Sequence, residues 1–438
     1  MDAWVNVEDV TRRRRITIAA TAAGLGSFAL LYAPQPLLPH LAAEFHLTPG
    51  SASLAISAAT GALAVVVIPI AMLSERIGRR RVIVAAVAAA AVTALLLPFA
   101  PTFPALIALR ILQGVAVAGV PAVAMAYLAD EVGPAGVGAA IGALIAGNSA
   151  GGMIGRLIAG IGVDWLDWRG ALAAVGALGA LCAAVVAATL PPDSRKPTRA
   201  PRGLKAALHD PVLLCLYAIA TLAVGAFISL YNAIGFRLAA PPLELPARLA
   251  ALVFLAYAAG GVCSAVAGRL ADRLGRGPVA LAALGAAAVG ALLTLPDSLI
   301  SVGVGLGLFT GGFFAAHSVA SGWVGARAPS NAKGQASGAY LFAFYVGSSA
   351  GGTAGSAAFG AWGWGALVAV VTGWLALAGV AVLVAQKSSG TATGPSTGLM
   401  DVEPTIGNLA LPSVSSRVTD LTSAGTSTTK ATGNMPPS

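Results

Sequence analysis

Residues 71–80 read Ala71-Met72-Leu73-Ser74-Glu75-Arg76-Ile77-Gly78-Arg79-Arg80, and residues 268–277 read Gly268-Arg269-Leu270-Ala271-Asp272-Arg273-Leu274-Gly275-Arg276-Gly277. In both, an apolar run closes on a carboxylate, an arginine, a glycine and another arginine. The two stretches lie 197 residues apart. Working outward, Gly147-Asn148-Ser149-Ala150-Gly151-Gly152 is echoed 200 residues later by Gly347-Ser348-Ser349-Ala350-Gly351-Gly352. Gly170-Ala171-Leu172-Ala173-Ala174-Val175 is echoed by Gly365-Ala366-Leu367-Val368-Ala369-Val370. Three echoes in one order and at nearly one offset mark a duplicated unit.

The material between the echoes is apolar. Of 438 residues, 57% are hydrophobic and 10% charged, with a mean hydropathy of +0.83. A soluble domain carries about 25% charged residues, so lipid must face much of this surface. Runs long enough to cross a bilayer, about 20 residues, are expected at 16–38, 51–74, 81–100, 103–129, 136–161 and 168–190, then at 211–236, 248–268, 277–296, 298–326, 334–360 and 363–386. The fold class expected is therefore an all-α membrane protein with twelve transmembrane helices in two pseudo-symmetric six-helix bundles. The divisions are a cytoplasmic N-terminus (1–15), a first bundle (16–190), a linker (191–210), a second bundle (211–386) and a Ser/Thr/Gly/Pro-rich disordered cytoplasmic tail (387–438).

Charge placement sets the orientation. With spans alternating, nineteen Lys and Arg fall on one side, among them Arg12 to Arg15, Arg76 and Arg79 to Arg81, and only Arg169, Arg237 and Arg248 on the other. The positive-inside rule puts the rich side and both termini in the cytoplasm. The net charge of +9 is thus a topology signal, and nucleic acid is not an expected partner. Cys182, Cys215, Cys263 and the four histidines show no metal-ligand spacing, so neither a metal nor a cofactor is expected. The chain carries no GxxxxGK[ST] loop for ATP.

These residues resemble the major facilitator superfamily, within it the drug:proton antiporter branch, and in particular bacterial inner-membrane permeases of the arabinose-efflux type. The resemblance spans about residues 16–386. Its loop signature is complete at Gly268 to Arg276, while Ala71 and Glu75 replace the usual Gly and Asp in the first half. Arg110, Gln113 and Gly114 carry its fourth-helix signature. Its fifth-helix antiporter signature stands as Gly147 to Gly152, with Asn148 in place of the usual proline. The resemblance implies a major facilitator fold and secondary transport by alternating access in the bacterial inner membrane. The expected function is proton-coupled efflux of a small organic solute, with uptake symport or a sensor without flux as alternatives. The expected partners are that solute, protons and membrane lipid, and a monomer is expected.

Several residues are candidates for the work. Glu75, Arg76, Gly78 and Arg79, with Asp272, Arg273, Gly275 and Arg276, are similar to a cytoplasmic gate latch, for which Asp130 and Glu131 are candidate partners of the Arg79–Arg81 run. Gly147, Gly151 and Gly155, like Gly347, Gly351 and Gly355, recur every four residues and allow close helix packing, whether static or sliding. Arg110 and Arg156 lie at membrane depth, where a charge faces protein or water or else snorkels to the headgroups. The resemblance gives Arg110, with Gln113, a part in proton coupling. His317, mid-span, is either a proton carrier or a neutral histidine bonded to a hydroxyl. Tyr32, Gln35, Asn148, Tyr231, Asn232, Tyr257, Tyr340 and Tyr345 are polar groups for the expected cavity, with Arg110 and Arg156. The spans hold no mid-membrane Asp or Glu, which disfavours a cationic substrate and favours an anionic or polar neutral one.

Overall fold

The computed structural model describes residues 2–133, 136–194, 204–329 and 332–391. The tail beyond 391 and residues 195–203 of the expected linker lie outside the described residues. All regular structure among those residues is helical. Nine helices are long and apolar enough to span a membrane. Two of these are broken by one residue with non-helical backbone, Asp167 (φ 55°) and Gly363 (φ 81°). Dividing both and adding the shorter Arg276–Leu292 yields twelve spans. These are α1 (Asp2–Tyr32), α2 (Leu54–Ile77), α3 (Arg79–Leu96), α4 (Phe103–Val132), α5 (137–166) and α6 (168–189). The second set is α7 (Pro211–Ala239), α8 (Ala247–Leu274), α9 (Arg276–Leu292), α10 (Leu299–Arg327), α11 (333–362) and α12 (364–391).

The turns follow from local chemistry. Gly78 (φ 99°) and Gly275 (φ 87°) take the left-handed backbone that reverses the chain between α2 and α3 and between α8 and α9. The loop expected over 162–167 is absent, because α5 runs on to Asp167. There Asp167 Oδ1 accepts from the backbone N–H groups of Arg169 (2.6 Å) and Gly170 (3.0 Å), capping the start of α6. Asp210 caps α7 in the same way, through Val212 and Leu213. The segment 1–15 is largely an extension of α1 rather than a separate piece. Leu204–His209 within the expected linker is also helical.

The duplication reappears in the packing. A Cβ on Gly147 would meet the Thr21 carbonyl, one on Gly151 that of Leu25, and one on Gly155 the Ala29 backbone, so α5 lies directly against α1. Gly347, Gly351 and Gly355 of α11 meet Thr221, Gly225 and Ser229 of α7. Every one of the six residues has its counterpart 200 positions on. Backbone-to-backbone approach of this kind adds dispersion contacts that lipid chains cannot match. Large apolar side chains such as Val65, Leu181, Val262 and Ile300 are left exposed around the bundle, as a lipid-facing surface requires.

The two sets meet at one end. Ser349 Oγ donates to the Ser57 carbonyl (2.7 Å), and Thr353 Oγ1 donates to Ser57 Oγ (2.7 Å), joining α11 to the start of α2. Arg248 of α8 pairs with Asp164 of α5 (3.4 Å). Gly360 packs on Pro49, and Gly235 on Pro39. All these contacts lie away from the Arg-rich loops at 76–81 and 269–276.

Gly151→Val should lower the melting temperature sharply, since overpacking costs about 1–3 kcal/mol. Gly142→Val on the same helix, where a Cβ meets nothing within 4 Å, should change it little. Thermal unfolding of both variants in detergent checks this; equal losses would assign the effect to β-branching rather than to contact with α1.

Candidate functional site

The candidate centre grows from the end of α1. Pro34 has no N–H, so the Leu30 carbonyl near the end of the helix loses its normal i+4 donor. Arg110 of α4 supplies a replacement there and reaches two further carbonyls. It donates through Nη1 to Leu30 O (3.1 Å), through Nη2 to Leu31 O, and through Nε to Ala55 O of α2 (2.6 Å). It also bonds to Gln113 Oε1, and both side chains are wholly buried. The guanidinium is enclosed within the first half and committed to backbone carbonyls.

With α1 stopped there, Tyr32 and Gln35 stand at the junction of the two halves. Arg156 of α5 donates from Nε to Gln35 Oε1 (2.5 Å) and from Nη1 to Gly152 O (2.6 Å). Its guanidinium carbon lies 4.4 Å from the Tyr32 ring centroid, 4.6 Å from that of Tyr257 and 5.4 Å from that of Phe254, which is cation–π range. Gln35 in turn donates from Nε2 to Asn232 Oδ1 of α7 (2.7 Å). Arg156, only 1% exposed, thus ties α1 and α5 of the first half to α7 and α8 of the second.

An aromatic chain leads on from this cluster. Tyr257 contacts Tyr231 edge-on (5.2 Å), and Tyr231 packs on Phe227 (4.8 Å) and shares a 2.7 Å hydrogen bond with Thr310 of α10. Phe227 stacks on Phe313 (4.0 Å), which stacks on His317 (6.0 Å). His317 Nδ1 lies 2.9 Å from the Tyr340 hydroxyl. The histidine is therefore bonded to a neighbouring hydroxyl, whichever ring nitrogen carries the proton.

Of the polar residues expected in the cavity, Tyr32, Gln35, Arg156, Tyr231, Asn232 and Tyr257 come together here. Asn148 does not; its side-chain oxygen sits against Gly24 of α1, where the missing Cβ leaves room. Tyr345 is buried against Phe344, and Tyr340 belongs to the His317 pair. The sequence reading missed Phe254, Phe227, Phe313 and Thr310. Phe313 stands four residues before His317 on one helical face, a spacing that could have revealed it.

On the outer side of the cluster, a cavity of about 240 Å³ lies between the halves, lined by Gln35, Pro36, His40, Asp164 and Phe254 among others. At the Arg-rich end, Arg79 pairs with Asp130 and also donates to Ala126 O (2.8 Å). Arg12, not the Arg79–Arg81 run, pairs with Glu131. Among the described residues, Glu75, Arg76, Asp272, Arg273 and Arg276 make no hydrogen bond or ion pair.

Arg110→Lys should lower the melting temperature and the folded yield, because an ammonium cannot span three carbonyls and the Leu30 carbonyl, with proline at i+4, costs about 1–3 kcal/mol when left bare. Thermal unfolding and size-exclusion profiles test this; unchanged melting would mean that the carbonyls find other donors.

The profile of the family described as Major Facilitator Superfamily matches residues 16–265. The inner membrane transport protein YnfM of Escherichia coli (strain K12) is 42% identical over 370 residues, covering 83% of this chain and 88% of that protein. The uncharacterized MFS-type transporter YybF of Bacillus subtilis (strain 168) is 38% identical over 374 residues, covering 83% and 92%. Among solved structures, a bacterial homolog of the human lysosomal transporter Spinster, inward-facing and occupied, superposes with a TM-score of 0.74 at 17% identity, covering 86% of this chain and 97% of that one. The nucleoside transporter NupG superposes at 0.68 with 12% identity, covering 84% and 99%. The last two show likeness of fold alone.

Proposed function

The chain belongs to the major facilitator superfamily and is a multi-pass membrane transporter, and we propose that it is a proton-coupled exporter of a small organic solute, working by alternating access. The observation that carries this reading is the junction of the halves. Among the described residues, the Arg156–Gln35–Asn232 bridge and the contacts at Ser57, Asp164 and Pro49 join them away from the Arg-rich loops. With the Arg-rich loops and both termini placed in the cytoplasm by the positive-inside rule, this is an inward-facing form of a monomer in a bacterial inner membrane. The rocking units are the bundles 16–190 and 211–386, with the solute held between them near the membrane midplane.

The unpartnered state of Glu75, Arg76, Asp272 and Arg273 supports the reading. A latch that holds the cytoplasmic end closed is idle when that end is open. In the outward-facing form each carboxylate would meet a helix N-terminus of the other half, where the macrodipole favours an anion. Gly78 and Gly275 set the loop geometry, and the Arg79–Asp130 pair anchors the first loop to α4. Proton transfer is assigned to His317, whose imidazole and the Tyr340 hydroxyl can exchange a proton at membrane depth. Arg110 and Gln113 act on coupling through the position of α1. A proton descending 100 mV releases about 2.3 kcal/mol, and the chain has no ATP loop to supply an alternative. The efflux direction and the antiporter assignment rest on the resemblance at Gly147–Gly152 and Gly268–Arg276.

The experiment is reconstitution of the full chain into proteoliposomes with an imposed pH gradient, recording solute and proton flux for anionic, neutral and cationic solutes. Solute movement against proton movement is expected. Movement in the same direction would make the chain a symporter, and binding without flux a sensor. His317→Gln should flatten the pH dependence of flux while leaving the fold intact. An unaltered pH profile would return His317 to a structural part.

A further inference from the structure

One buried charge is not explained by the fold. Arg156 is 1% exposed, and the acceptors and rings around it are neutral: one amide oxygen, one backbone carbonyl and three aromatic rings. A guanidinium removed from water is costly unless an anion compensates it. Arg110 is equally buried, but its donors are spent on the end of α1, whose dipole is negative there. Arg156 has no such explanation.

The neighbours of Arg156 are aligned by it. Because Gln35 must accept from Arg156 through Oε1, it presents Nε2 to Asn232 and takes up Asn232 Oδ1. That leaves Asn232 Nδ2, a donor, buried and without a partner. The Tyr257 hydroxyl is also buried and without a partner, while its ring packs on the guanidinium. Among the described residues Arg156 Nη2 makes no hydrogen bond. Three unspent donors therefore surround a single uncompensated positive charge, and the walls of the cluster are aromatic. A cation would meet like charge here. A neutral solute would leave the charge unanswered.

We propose that Arg156 holds the transported solute as its counter-ion, and that the solute is a small organic monoanion of carboxylate type with an apolar body. The carboxylate accepts from Arg156 Nη2 and, through its second oxygen, from Asn232 or Tyr257, while the body packs on Tyr32, Phe254 and Tyr257. One positive charge selects one negative charge; a dianion would bring a surplus into the same buried space. The inference rests on the transport reading for its setting, but binding tests it without flux.

The test is equilibrium binding of radiolabelled benzoate to the full chain in phosphatidylcholine nanodiscs, with no gradient. The competitors are hexanoate, gluconate, benzamide and benzylamine. Benzoate should bind saturably. Hexanoate should compete, and benzamide and benzylamine should be weaker by about tenfold or more. Arg156→Gln should reduce benzoate affinity by at least about tenfold, and Arg156→Lys should keep the preference for anions over amides. Asn232→Ala and Tyr257→Phe should each weaken binding several-fold, and these milder changes decide the matter if Arg156→Gln fails to fold. Benzamide binding as well as benzoate, no carboxylate binding at all, or wild-type benzoate affinity in Arg156→Gln or in both milder variants would overturn the proposal. Carboxylate binding without flux in proteoliposomes would overturn the proton-coupled export reading and leave the carboxylate site at Arg156 standing. Flux of amines with no carboxylate binding would do the reverse.

Discussion

The molecule depends on how one helix is allowed to end. In hydrocarbon a backbone carbonyl without a donor has no water to turn to, and Pro34 deprives the Leu30 carbonyl of α1 of its donor. Arg110 repairs the loss from across the bundle by reaching Leu30, Leu31 and Ala55 together. A fork of five N–H groups suits that task, as a point charge does not. Because α1 stops where it does, Tyr32 and Gln35 stand at the junction of the halves. From there Gln35 reaches both Arg156 and Asn232. The buried guanidinium in α4 is thus a structural part that positions the one in α5.

Duplication supplied the frame, and divergence supplied the chemistry. The close contacts of α1 with α5 and of α7 with α11 use residues exactly matched in spacing, from Gly147 on Thr21 and Gly347 on Thr221 through to Gly155 on Ala29 and Gly355 on Ser229. Two hundred residues on from Arg110 and Leu31 stand Thr310 and Tyr231, which share a hydrogen bond of their own. The counterparts of Gln35 and Arg156 are Gly235 and Ser356, with no capacity to form a second charged cluster. The packing pairs tolerate little change because backbone approaches backbone.

This arrangement gives the proposed cycle a physical basis. The bridge between the halves is built of hydrogen bonds and ring contacts that a solute can replace, whereas each bundle is held internally by close backbone packing that it cannot. Rocking therefore breaks the junction and spares the bundles. Among the described residues Glu75, Arg76, Asp272, Arg273 and Arg276 make no hydrogen bond or ion pair in this form.

The apolar runs, the arginine asymmetry and the repeated loops were legible in the sequence because lipid imposes length and polarity on every segment that meets it, residue by residue. Gly78 and Gly275 could be read as turns for the same local reason, and so could the glycine rows as contact faces. Two buried arginines looked alike in the sequence, since both are charges at similar depth. Arg110 and Arg156 differ only in what surrounds them: orphaned carbonyls in one case, neutral amides and aromatic rings in the other. Phe254, Phe227 and Thr310 were missed because their roles depend on contacts with other helices. Sequence by itself determined the spans, their duplication and their membership of a transporter family, since these follow from local polarity and repeated motifs. Tertiary structure alone decided which buried charge stands at the junction of the halves, because a side chain's partners come from helices distant in the chain and only folding brings them within reach.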